Sequence, residues 1–356
     1  MTYHVAATDI MYIPGLSTLG SRLAAKGIEL TVLTTGPDHP RDLSQYDALV
    51  VQGLNFDNEY IQHLSPQKTR LVLRYGAGYD KLDVDALTKK GIRAANLPDF
   101  AVEPTAQHTL AHIHELACRT IENHRWMIEK KDRKEGKSSW THEDMLKSVP
   151  LYESTLGIVG YGRIGKRVAE VAYQSFNGNI YVYHPNFDPN SQHNTDLTFT
   201  DTLDELLQKS DFVTLHVPLF KKQQDIFRDA NRSVRYEATV GLVGERQFSQ
   251  MPDGSFLINT ARGGLVDQEA LIGAIKSGKL AGAALDVFQE EPLDKHHELR
   301  SLAKTHNLVI TPHSASLTLT SSERMQESAA DEIINVLLNN KEPKRLINPN
   351  YVNFVQ

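Results

Sequence analysis

Short apolar runs alternate with helix-length amphipathic stretches from one end of the chain to the other. In the first part the runs are His4–Thr8, Glu29–Thr34, Ala48–Val51 and Arg70–Leu73, with Ser17–Lys26 and Asp83–Lys90 as helical stretches between them. In the second part the runs are Leu156–Val159, Ile180–Tyr183, Phe212–Val217, Ser255–Asn259, Ala281–Val287 and Leu308–Thr311. Strands separated by helices predict parallel sheets covered on both faces, so the pattern predicts an α/β fold with two such units. Pro104–Ile128 reads as one long helix, with Leu110, Ile113, Leu116, Ala117 and Ile121 on its apolar side. Met127–Val149 is charged and polar and reads as a surface connection. A last helix spans about Leu319–Leu338. If it returns to the first unit, that unit is discontinuous and two helices cross the boundary. Phe220–Ala238 has no clear period and reads as a solvated insertion, with a loop touching cofactor or another subunit as the second reading.

Composition narrows the classes. Hydrophobic residues make up 40% and charged residues 23%, which fits a globular chain and not a disordered one. The net charge of −6 makes a nucleic-acid or anionic-membrane partner a poor electrostatic match. Cys118 is the one cysteine, so neither an internal disulfide nor a cysteine metal cluster can form, and a reducing, cytoplasmic setting is expected. No metal site is expected. No apolar run approaches ~18 residues and the N-terminal segment lacks the secretory pattern, so no membrane association is expected.

The most specific local pattern is Gly160-Tyr-Gly162-Arg-Ile-Gly165, directly after the strand Leu156–Val159 and before an amphipathic stretch with Ile164, Val168, Val171, Ala172 and Phe176. That context is the one a dinucleotide-binding turn requires. Gly160 allows the tight turn, Gly162 lets a pyrophosphate approach the backbone, and Gly165 lets helix and strand pack closely. The first helical amides, at Arg163 and Ile164, would point at the phosphates. The next strand ends Tyr183-His184-Pro185-Asn186, with His184 where an acidic residue usually holds the ribose hydroxyls. The charge that repels a 2′-phosphate is missing, and no arginine follows at once, so the choice between NAD and NADP stays open.

Three later strands lead into segments with an ionisable residue at the end: Thr260-Ala261-Arg262, Gln289-Glu290-Glu291 and Pro312-His313. In a parallel sheet these carboxyl ends line the ligand crevice, so Arg262, Glu291 and His313 would converge where the glycine turn sits. An arginine forks onto a carboxylate, a histidine exchanges a proton, and a neighbouring glutamate orients the ring and favours its charged form.

On these residues the chain resembles the D-isomer-specific 2-hydroxyacid dehydrogenase family. The matching stretches are Gly76–Asp83 (GAGYDKLD), Leu156–Glu170, His216–Leu219 (HVPL), Ile258–Leu271 (INTARGGLVDQEAL), Ala284–Pro292 (ALDVFQEEP) and Thr311–Ser316 (TPHSAS), in family order. The resemblance implies two doubly wound parallel-sheet domains, a Rossmann nucleotide domain at 104–317 inserted in a flavodoxin-like substrate domain at 1–103 and 318–356. It implies hydride transfer between NAD(P)H and C2 of a 2-oxo or D-2-hydroxy acid, with Arg262, Glu291 and His313 catalytic. The implied substrate contacts are the amides of Ala77 and Gly78 together with Arg262. The implied cofactor contacts are Val217 and Pro218 near the adenine, Asp286 near the carboxamide, and Thr260. A homodimer built on the nucleotide domains is also implied. Gln52-Gly53 stand where serine-pathway members carry Arg-Ser, and Asn55, Phe56, Tyr79 and Phe100 are candidate pocket residues hinting at an unphosphorylated substrate. A second reading, a dinucleotide-sensing scaffold like the corepressors that resemble this family, keeps the same residues without turnover.

Overall fold

The computed structural model describes residues 2–8, 16–33, 42–129, 148–184, 196–221, 224–229 and 232–351. Along the chain come β1 (Tyr3–Thr8), α1 (Ser17–Ala24), β2 (Ile28–Leu33), β3 (Ala48–Val51), α2 (Asn58–Ile61), β4 (Leu71–Arg74), α3 (Val84–Lys89) and β5 (Arg93–Asn96). Then follow α4 (Val102–Cys118), α5 (Thr120–Glu129), β6 (Leu156–Val159), α6 (Arg163–Ala172), β7 (Ile180–Tyr183), β8 (Thr198–Thr200), α7 (Leu203–Lys209) and β9 (Phe212–Leu215). The remainder is β10 (Gln224–Asp229), β11 (Arg232–Tyr236), α8 (Glu245–Gln250), β12 (Ser255–Asn259), α9 (Gln268–Lys276), β13 (Leu280–Leu285), α10 (Glu298–Leu302), β14 (Leu308–Ile310) and α11 (Ser321–Leu337).

The chain divides into two compact units: 1–101 with 223–236 and 317–356, and 102–222 with 237–316. The first holds a five-stranded sheet in the order β2-β1-β3-β4-β5, every pairing parallel. The second holds a seven-stranded parallel sheet in the order β14-β13-β12-β9-β6-β7-β8. Each order reverses direction once, in the first sheet between β1 and β3 and in the second between β6 and β9. These are the two doubly wound arrangements, and ligands bind outside the carboxyl ends of such sheets at the reversal. The central strands are buried on both faces because helices cover both sides; β3, β6, β9 and β12 are buried at every residue. Polar side chains start the connecting helices: Asp83 accepts from Ala86 N, Thr202 from Glu205 N, and Asp267 from Glu269 N and Ala270 N.

Several expectations need correction. The stretch read as one helix is two, because Arg119 takes a positive φ of 53° and Glu115 caps the second helix by accepting from Ile121 N at 2.6 Å. The segment read as a solvated insertion without a period contains the antiparallel pair β10–β11. That hairpin groups with the first unit, although it lies inside the span 104–317. Strands β5 and β8 were not read from the pattern. Val171, placed on the apolar side of α6, is 45% exposed. The charged connection after Met127 lies mostly outside the described residues, as do Pro185 and Asn186. No helix among the described residues is long and apolar enough to cross a membrane.

Candidate active site

The glycine turn follows β6 in the second unit. Gly160 has φ +100°, and a Cβ there would lie 2.6 Å from the His216 carbonyl oxygen. A Cβ on Gly165 would lie 2.0 Å from the Gly160 oxygen, so helix α6 crosses the turn with no room for a methyl group. Gly162 is different. A Cβ there would meet nothing within 4 Å, and Gly162 caps a ten-residue helix whose bonding begins with Lys166 N to Gly162 O. The amides of Arg163, Ile164 and Gly165 precede that first bond. Open space in front of helix-start amides fits the pyrophosphate of a dinucleotide. His184 stands beside the turn, where its Nδ1 accepts from Tyr161 N at 3.3 Å. The ring therefore presents Nε2–H as a donor in its neutral form. Val217 is buried after β9 with its Cγ1 against Gly160, and Pro218 gives its carbonyl to the Thr239 hydroxyl at 2.7 Å.

The ionisable residues come from three neighbouring strand ends of the same sheet. After β12, Asn259 pins the loop by donating to Arg262 O at 2.9 Å and accepting from Ala261 N at 3.1 Å. Arg262 is half-buried, and its Nη1 donates to Ala261 O. A Cβ on Gly263 would lie 1.9 Å from the Phe288 carbonyl carbon, so only glycine lets the Arg262 loop press against the segment that carries Glu291. Glu291 Oε1 accepts from Phe288 N at 3.0 Å, and Glu291 Oε2 meets His313 Nδ1 at 2.7 Å. Burial pushes the Glu291 carboxyl up, but the His313 hydrogen bond and charge, the Phe288 amide and Arg262 outweigh it, and the group lies below its usual range. An ionised carboxylate accepts only, so His313 Nδ1 carries hydrogen and Nε2 is the atom left for chemistry. The two side chains are 44% and 28% exposed, which leaves them open to solvent and ligand.

The other sequence candidates differ in burial and in their partners. Asp286 is fully buried, and its carboxylate holds Thr311 Oγ1, Ser314 N and Ala315 N at 2.5, 2.9 and 2.8 Å. Thr260 is buried against Thr109, with 2.9 Å between the hydroxyls. Ala77 and Gly78 lie in the first unit and are partly exposed; Asn96 and Arg74 donate to their carbonyls at 2.6 and 3.0 Å. Phe56 is no pocket residue: it is fully buried in the first unit's core and stacks on Tyr60. The sequence reading missed His108 and His112, whose Nε2 atoms lie 3.2 and 3.4 Å from Thr311 Oγ1. Their signal was present: Thr105, His108, Thr109 and His112 recur at the spacing of one helix face. Among the described residues no group of His, Cys, Asp or Glu is placed to hold a metal ion.

The sequence model for the NAD-binding domain of D-isomer specific 2-hydroxyacid dehydrogenases matches residues 110–233 and 234–315. A glyoxylate reductase of Korarchaeum cryptofilum is 36% identical over 285 residues, 80% of this chain and 78% of the relative. Among solved structures, the TT0316 protein of Thermus thermophilus is similar with a TM-score of 0.76 and 31% identity, covering 96% of this chain and 99% of that one. A D-lactate dehydrogenase of Aquifex aeolicus, solved with NAD and lactic acid, is similar with a TM-score of 0.74 and 27% identity, covering 94% and 96%. The reading as a scaffold without turnover has no support among these relatives.

Proposed function

We propose, from the premise that this chain belongs to the D-isomer-specific 2-hydroxyacid dehydrogenase family, that Arg262, Glu291 and His313 carry its reaction. The protein is an NAD(P)-dependent oxidoreductase acting between a 2-oxo acid and a D-2-hydroxy acid. The cofactor, when bound, supplies the hydride that reaches C2. In the reductive direction His313 Nε2 gives its proton to the 2-oxo oxygen as that hydride arrives; in the oxidative direction it takes the proton back. Glu291 fixes the ring through Nδ1 and stabilises the imidazolium before transfer. Arg262 binds the substrate carboxylate and polarises the adjacent carbonyl. The observation that carries this reading is the 2.7 Å pairing of His313 with Glu291 on the sheet edge that also carries the glycine turn.

The cofactor-binding assignment covers Gly160, Gly162, Arg163, Ile164 and Gly165 for the pyrophosphate, and His184 for the adenosine ribose. It also covers Val217 and Pro218 for the adenine, and Thr260 and Asp286 for the nicotinamide end. Ala77 and Gly78 are assigned to the substrate carboxylate, and the first unit to substrate binding. Glyoxylate, named for several relatives, is the first substrate to try on this chain. A homodimer through the second unit is proposed from the family resemblance, with Met127, Ile128, Tyr152 and Val171 as exposed apolar side chains available on that unit. A cytoplasmic location is supported by the single cysteine. The test is a panel of 2-oxo acids with NADH and NADPH, followed by loss of absorbance. Turnover of at least one acid to its D-hydroxy product is expected. Tight dinucleotide binding with no turnover on any acid overturns the catalytic assignment.

A further inference from the structure

The face of α4 that turns to the second sheet is polar where it meets the ends of β12, β13 and β14. Thr109 Oγ1 meets Thr260 Oγ1, and one turn on, His108 and His112 converge on Thr311. The two rings pack edge-on with centroids 4.3 Å apart. Thr311 Oγ1 in turn lies 2.5 Å from Asp286 Oδ1. A carboxylate has no hydrogen to give, so the threonine donates its only one there, and its oxygen must accept from the imidazoles. Burial, reinforced by neighbouring His108, lowers His112 to about 4, so its ring is neutral near neutral pH and takes the Nε2–H tautomer that suits this bond.

Asp286 is tied to His313 from several sides. Its backbone oxygen accepts from His313 N at 2.8 Å, Oδ1 accepts from Ser314 N and Oδ2 from Ala315 N. His313 has φ 54°, the left-handed region, which a non-glycine residue enters at a cost of about 1 kcal/mol or more. The turn therefore needs outside bonds to persist, and Asp286 supplies them. Among the described residues the carboxylate forms its one ion-pair contact with His108, at 3.6 Å, and only if that ring is protonated. A fully buried carboxylate held this way depends on correct orientation of each hydrogen-bond donor.

We propose that Thr311 is a positioning residue for the general acid. Its hydroxyl, oriented by His108 and His112, fixes the Asp286 carboxylate in the rotamer that holds His313 in its left-handed turn, with Nδ1 on Glu291. The proposal rests on the assignment of His313 as the proton donor. It adds a row of side chains from α4, more than 190 residues away in sequence, to the apparatus that aims this proton.

The test compares Thr311→Val, Thr311→Ser and His112→Leu with wild type and with His313→Asn, on whichever 2-oxo acid the panel finds fastest. Thr311→Val removes the hydroxyl at nearly constant volume. It should lower kcat about tenfold, since small misplacements of a reacting group are costly. KM and the NADH Kd from fluorescence titration should change less than kcat, by no more than about threefold, because the glycine turn and Arg262 are untouched and only the contact assigned to Asp286 at the nicotinamide end is disturbed. Thr311→Ser should restore kcat to within about threefold of wild type, and His112→Leu should show a smaller drop of about threefold. Wild-type kcat in Thr311→Val overturns the proposal, and so does a loss that serine does not rescue, which would assign the effect to the methyl group. If Thr311→Val fails to fold, wild-type kcat in His112→Leu overturns it. Full activity in His313→Asn would instead sink the assignment of the proton donor itself, so the two failures are distinguishable.

Discussion

The turn after β6 and the turn after β14 end parallel strands of one sheet and both need a backbone with positive φ, but they reach it by opposite means. The first does so by having glycine at the crowded positions. Gly160 sits at φ +100°, and the carbonyls around it leave no room for a Cβ at either Gly160 or Gly165. The second puts a histidine at φ 54° and holds it with side chains drawn from distant parts of the chain. Asp286 is 25 residues from Thr311, and His108 is 203 residues from it. A turn made by missing atoms tolerates little added volume but needs few partners. A turn made by hydrogen bonds needs every partner, and its weak points are spread over several elements.

The largest effect should come from the second turn's own side chain. His313→Asn should lower turnover by roughly 10²–10⁴ while NADH binding, measured by fluorescence, stays near wild type. Arg262→Lys keeps the charge and loses the fork, so kcat/KM should still fall by at least about tenfold; equal kinetics would make Arg262 a structural residue.

The first turn is probed by two alanines that differ only in what the new methyl group meets. Gly165→Ala drives a Cβ into the Gly160 carbonyl and should lower stability by about 1–3 kcal/mol, read as a lower denaturation midpoint. Gly162→Ala meets open space, so Tm should hardly move while NADH affinity falls about tenfold. Unchanged NADH affinity in Gly162→Ala would mean that no phosphate lies there.

Acid separates the turns as well. His112 titrates at about 4 in the fold against a usual value of 6.5. The unfolded chain therefore takes up this proton first as pH falls. The contribution is complete above pH 6.5 and declines as pH drops toward about 4, by about 3 kcal/mol at most. His112→Leu should lose less stability than wild type between pH 7 and 4.5, in denaturation curves at both values. Parallel curves for the two proteins would contradict this.

The smallest effect concerns His184, which accepts from the first turn's Tyr161 amide yet carries no negative charge. Wild type should use both cofactors, with NADH modestly ahead. His184→Asp should raise the NADH-to-NADPH ratio of kcat/KM severalfold by repelling the 2′-phosphate. An unchanged ratio would place His184 away from the ribose.

Much of the fold is legible in the sequence. Strand runs of branched and aliphatic residues marked β1, β3, β4, β6 and β7, and the glycine spacing marked the turn that follows β6. Strand β5 escaped because Arg93-Ala-Ala-Asn has neither alternation nor branched residues; it is a strand because both of its faces are covered. The break at Arg119 escaped because the apolar spacing from Ala117 to Ile121 continues across it, so the period gave no warning. In the candidate site, Arg262, Glu291 and His313 stood at strand ends and could be read from their positions. The 1.9 Å conflict at Gly263, which brings the Arg262 loop against the Glu291 segment, could not, because nothing in GGL says which backbone will lie against it.

The sequence by itself determined what is local: which segments extend, where the chain turns without side chains, and which residue types stand at the ends of strands. Those follow from covalent sterics and from the period of apolar burial, which act within a few residues. Tertiary structure decided what is convergent. It put two histidines of α4 on one threonine hydroxyl and aimed that hydroxyl at a buried carboxylate, which closes the turn around His313. Directional hydrogen bonds in a buried site depend on geometry at the scale of tenths of an ångström, and only the packed sheet and helix fix positions that finely.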